Sequence, residues 1–182
     1  MTLEARKHAF KKSLACGPST IILTAILTYF LPACKACATN PVDFFTVYKA
    51  MGMTVAITSI ICCLIQYAIV GKEFKAQFEE GGEMLPAMGK REEQIQFFKW
   101  IPGKWIVYEI VFALFAGVIF GTGIPGFLYG LGINPAGIGR LGYAVIQGII
   151  NGVGVWWAVC LSQIYLVQFF WEKAAAAQAA SK

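Results

Sequence analysis

Histidine occurs once, at His8, and charged residues make up only 14% of the 182-residue chain. The single histidine excludes a bis-histidine membrane haem and argues against any histidine-rich metal site. The shortage of charge excludes an ordinary water-facing surface, because soluble domains carry roughly a quarter charged residues. The chain also lacks a Walker-type phosphate loop and a G-x-S-x-G nucleophile elbow. The glycine-rich "GLGINPAGIG" follows no strand pattern, so no dinucleotide fold is implied. No alternating strands of ~10 residues appear, which argues against a transmembrane barrel. Neither a cofactor nor a metal is expected.

What is present is apolar. Hydrophobic residues make up 58% of the chain, and the mean hydropathy is +0.63. Four apolar runs cover residues 14–33, 44–70, 105–131 and 143–170, each above the ~18 residues needed to cross a bilayer. Backbone groups in lipid must be satisfied within their own segment, so the runs should be helices. The expected fold is one all-α membrane domain, a bundle of four transmembrane helices over residues 1–182 with a long connection at 71–104. A cleaved leader is the rival reading of the first run, which ends in "LPAC". The run is too long for an h-region of about 7–15 residues, and Pro32 suits a cleavage box poorly.

Lys and Arg set the orientation. Arg6, Lys7, Lys11 and Lys12 precede the first run, and Lys72, Lys75, Lys90, Arg91, Lys99 and Lys104 fill the 71–104 connection. The other two loops carry only Lys35 and Arg140. The positive-inside rule then puts both termini in the cytoplasm of a bacterial inner membrane. This bias accounts for the basic isoelectric point near 8.9, so no nucleic-acid partner is implied. Each half of the chain runs from a basic patch through a span to an Asn-Pro loop, at Asn40-Pro41 and Asn134-Pro135, and then a second span. That layout suggests two parallel helical-hairpin repeats. The stretch "KREEQIQFFKW" suits either a short interfacial helix or a solvated loop.

Glycine carries the clearest repeated signal. G-x-x-x-G-x-G occurs at Gly117/Gly121/Gly123, Gly126/Gly130/Gly132 and Gly148/Gly152/Gly154. Such faces let another helix backbone approach closely. They are the candidate packing faces, and since Gly117 and Gly126 point to opposite sides of a helix, one could meet another subunit. Pro125 should kink or break the third run near Gly121. Ionisable residues inside a span are functional candidates. Glu109 lies one turn into the third run, where it can simply reach water at the interface, and Lys49 can snorkel; Glu109 is kept with Gln147 and Asn151 as a candidate polar-path residue. Gln147 and Asn151 form a polar stripe beside Gly148 and Gly152, the first candidate wall of a polar path.

Cys16, Cys62, Cys63 and Cys160 lie in the runs and read as small apolar fillers. Cys34 and Cys37 form a C-x-x-C pair on the outer side, where a disulfide or a redox couple can persist. Four spans, cytoplasmic termini and C-x-x-C in the first outer loop resemble the bacterial quinone-linked disulfide-generating membrane oxidases. The resemblance implies a second cysteine pair in the second outer loop and an arginine soon after the first pair. This chain has no cysteine between Gly132 and Gly142, and the first basic residue after Cys37 is Lys49.

The first expectation is therefore a small multi-pass protein without enzymatic machinery. It would be a helix-packing or accessory subunit, homo-oligomeric or part of a membrane complex in the lipid bilayer. A small transporter or channel with its path near the fourth helix is the alternative, and a thiol oxidoreductase using Cys34 and Cys37 the second. Topology is directly testable. A reporter active only outside the cytoplasm should work when fused after Val42 or Ala136 and be silent after Lys90; the reverse pattern overturns the orientation.

Overall fold

The computed structural model describes residues 3–30, 44–79, 100, 104–133 and 138–180. The first span comprises α1 (Leu3–Ser13) and α2 (Cys16–Phe30), and the second is α3 (Phe44–Glu79). The third comprises α4 (Trp105–Ala116), a π-helical segment (Gly117–Gly123) and α5 (Ile124–Gly130). The fourth is α6 (Gly139–Ala180). Four helices are long and apolar enough to cross a membrane, and the described residues include no strand. Cys34, Cys37, both Asn-Pro dipeptides and residues 80–99 and 101–103 of the 71–104 connection lie outside the described residues.

Helices begin earlier and end later than the apolar runs, since hydropathy marks the lipid-crossing part and not the helix. The polar α1 leads into α2 through a turn at Leu14 and Ala15. Glu4 in its first turn and Lys11 and Lys12 in its last complement the helix dipole. Pro18 is tolerated because it sits in the first turn of α2, where an N–H lacks an intrahelical acceptor. At the other end of the chain, α6 continues helically through Lys173 and the alanine-rich tail to Ala180.

α6 is the central helix. Within the most apolar stretch of each span, 56% of α6 is buried, against 22–33% for the other three. α1, α2, α3 and α4 all pack on it, whereas α2 and α3, consecutive in sequence, hardly touch. The first hairpin is thus held together through α6 and not by direct pairing. Large apolar side chains such as Ile22, Leu23, Ile57, Ile61, Leu114 and Val118 face outward. That pattern suits a lipid-facing surface.

Two seams depend on the absence of a side chain. Where the third span meets α3, a Cβ on Gly121 would stand 2.5 Å from the Gly52 Cα and 2.9 Å from the Met51 carbonyl oxygen. A Cβ on Gly117 would lie 2.9 Å from both the Gly52 carbonyl oxygen and the Ala56 Cβ. Where α6 meets α2, a Cβ on Gly148 would lie 2.7 Å from the Ile21 carbonyl oxygen, and one on Gly152 would enter the Ile21 side chain. Gly154 faces Val55 and Phe120. Gly126 is half-buried, and a Cβ on exposed Gly130 would meet nothing within 4 Å.

The third span does not break at Pro125. Proline cannot donate to the Gly121 carbonyl and its ring crowds that group. The wider π turns over Gly117–Gly123 immediately precede it, as expected where an α-helical ladder is locally relieved. Backbone angles stay right-handed helical at Gly123 (φ −65°, ψ −46°) and Ile124 (φ −66°, ψ −49°). The span ends where Gly132 turns left-handed (φ +79°) and Ile133 N–H caps the Leu128 carbonyl.

Gly121→Leu should cost at least about 2 kcal/mol, because backbone on α3 must move to admit the side chain. Gly130→Leu should leave stability within about 0.5 kcal/mol. Unfolding followed by circular dichroism in detergent micelles separates the two; equal losses would overturn the seam.

Candidate functional site

Polar side chains enter the bundle at two levels along α6. The first level holds Gln147 and Asn151, both turned inward and almost fully buried. Asn151 Nδ2 donates to Thr24 Oγ1 at 2.6 Å. Its Oδ1 and both amide atoms of Gln147 have no partner among the described residues. Thr24 belongs to a buried row with Thr20 and Thr28 on α2. The four-residue spacing puts all three on one helix face. Sequence reading missed this row because threonine passes unnoticed in an apolar run, although the regular spacing was the available signal.

The second level holds Glu109. Its expected place was the membrane interface, but the side chain is fully buried. The face of α4 bearing Tyr108, Glu109, Phe112, Ala113 and Ala116 turns into the bundle, so the carboxyl points at α6 and α3. Ser162 Oγ donates to Glu109 Oε1 at 2.8 Å, and Cys63 lies beside the same carboxyl. Glu109 Oε2 has no partner among the described residues. Beside it Gln163 Nε2 donates to Gln66 Oε1, and Gln163 Oε1 and the buried Ser59 Oγ, one turn before Cys63, likewise have no partner among the described residues.

An apolar layer divides the levels. Val55, Phe112, Ala116, Val155, Ala158 and Val159 are completely buried. Asn151 and Ser162 are separated by eleven residues of α6, or ~16 Å of helical rise. Beyond Glu109, aromatic pairs cover the second level, with Tyr108 stacked on Tyr165 at 3.6 Å and Tyr67 on Trp105 at 3.9 Å.

The second level borders a groove of about 500 Å³ in the opening between α2 and α3. Lys12 pairs with Glu73 at one end, and Cys16, Thr20, Cys62 and Gln66 form its polar wall. Gln66 is the side chain that holds Gln163, so the groove wall and the buried level share a hydrogen bond. The span cysteines are more than apolar fillers here. Cys16 and Cys62 both line the groove, Cys16 Sγ lies 3.9 Å from Thr20 Oγ1, Cys63 lies beside Glu109, and Cys160 lies beside Ser13.

Arg140 takes a structural place. Its Nε donates to the Tyr29 carbonyl at 2.7 Å and its guanidinium lies 4.0 Å from the Tyr29 ring centroid, tying the end of α2 to the start of α6. Among the described residues no three His, Cys, Asp or Glu side chains gather into a metal-binding group. No protein-family model, curated protein or solved structure matches the chain.

Thr24→Val and Asn151→Leu should show a coupling of about 0.6–1.7 kcal/mol in a double-mutant cycle, as for other hydrogen bonds between membrane helices. Strict additivity of the two losses in detergent unfolding would mean that the bond contributes nothing.

Proposed function

We propose that the chain is a small multi-pass membrane protein that admits a small polar or charged solute between its helices, a transporter or channel and not an enzyme. One observation carries this reading: a glutamate is fully buried within the spans, with one carboxyl oxygen unpartnered among the described residues. A polar group in that setting is costly, so its presence points to a solute or ion site. The groove wall at Gln66 supplies an approach to that level, and the apolar layer around Val155 and Val159 supplies a barrier beyond it. Barriers between half-paths are what alternating access requires. The Lys and Arg bias supports cytoplasmic termini, the matching Asn-Pro loops support two parallel hairpins, and a bacterial inner membrane is the setting proposed.

An accessory subunit is the second reading, and a specific observation favours it. Gly130 is exposed and open, unlike Gly117, Gly121, Gly148 and Gly152, which are occupied by helices of the same chain. Assembly through glycine would then use the outward face carrying Gly126 and Gly130.

Proteoliposomes loaded with an ion-sensitive dye test the first reading. Wild-type protein should carry flux, and Glu109→Gln should lower it at least about tenfold. Vesicles that stay tight to ions and to small neutral solutes would reject transport and favour the subunit reading.

A further inference from the structure

Among the described residues, the unpaired atoms at the second polar level are all oxygens: Glu109 Oε2, Gln163 Oε1 and Ser59 Oγ, each on a residue with no solvent exposure. Ser162 Oγ, which donates to Glu109, keeps lone pairs free to accept or to ligate. These residues sit on α3, α4 and α6, three helices that all pack on one another. Cys63 on α3 lies beside both Glu109 of α4 and Ser162 of α6. Ser59 is one turn before Cys63 on the same face of α3, and Gln163 follows Ser162 directly. Among the described residues the carboxyl is the only acid at this level, and neither Lys, Arg nor His is among its partners.

A buried group of acceptors without a positive partner is unfavourable by itself. A proton would satisfy one oxygen and leave the others unpaired. A hard cation takes several oxygen ligands at once, neutral carbonyls and hydroxyls included. One carboxylate balances one positive charge, so a divalent ion would leave a net charge in an apolar interior. We propose that Glu109, with the neutral oxygens of Ser162, Gln163 and Ser59, forms a binding site for a monovalent alkali cation that is reached from the groove past Gln66. The purpose of the site rests on the transport reading above, but its existence does not.

The test uses the full chain in lipid nanodiscs. N-methylglucamine chloride is exchanged for sodium, potassium or lithium chloride at constant ionic strength and pH, and thermal unfolding is followed. At least one alkali cation should raise the midpoint by several degrees, climbing with the logarithm of its concentration as ligand linkage requires. Glu109→Gln, close in shape and neutral, should abolish the response. Ser162→Ala should shift it to roughly tenfold higher concentration, and serves as the second variant if the first does not fold. No response to any of the three cations in wild type, an unchanged response in both variants, or a dependence on pH alone would overturn the site. Cation binding without flux in proteoliposomes would reject transport and leave the site standing. Flux without cation-dependent stabilisation would do the opposite.

Discussion

Backbone-to-backbone contact at glycine is the constraint on which the rest of the bundle depends. In lipid, no hydrophobic force draws one apolar helix to another, so close packing and interhelical hydrogen bonds must supply the attraction. Gly148 and Gly152 let the Ile21 and Gly17 backbone of α2 approach α6, and Gly117 and Gly121 do the same for Gly52 on α3. Those approaches bring side chains within reach that longer helix separations would keep apart. Asn151 reaches Thr24, Trp156 Nε1 donates to Ser13 Oγ at 3.1 Å, and Ser162 reaches Glu109.

The same constraint explains the uneven bundle. α6 has glycine on the face toward α2, and meets α3 and α4 with Gly154, Ser162 and Gln163 and with the aromatic Tyr165 and Phe170, so it accepts neighbours on several sides. α2 turns its own small residues, Gly17 and Ala25, toward α6 and keeps Ile22, Leu23, Ile26 and Leu27 outward. Little on α2 is then left to pack on α3, and the gap between them becomes the groove lined by Cys16, Cys62 and Gln66. Packing and the candidate site are thus two results of one distribution of small residues.

The helical character and number of spans were readable from run length, because a bilayer fixes how many apolar residues a helix needs. Glycine spacing pointed to the faces at Gly117, Gly121, Gly148 and Gly152 without saying which partner each would meet. Helix ends were less legible: α1, the extension of α3 to Glu79 and the tail of α6 are polar or alanine-rich, and hydropathy does not see them. Glu109 was the main departure. Its nearness to the end of an apolar run suggested water, but rotation about the helix axis, set by Tyr108, Phe112 and Ala116 packing inward, carried it into the bundle. Cys62 and Cys63 are adjacent in sequence yet face different surroundings, one the groove and one the carboxyl.

By itself the sequence determined that this chain needs lipid, that its long elements are helices and that glycine makes close approach available. These follow from local quantities, namely hydropathy over about 20 residues and spacing along one helix. Only the tertiary structure decided which helix became central, that the glycine seams are spent within the chain, and that Glu109, Ser162, Gln163, Cys63 and Gln66 share one level. Those outcomes depend on how four helices rotate and tilt against one another. Such rotations are fixed by the sum of all interhelical contacts, which no single segment encodes.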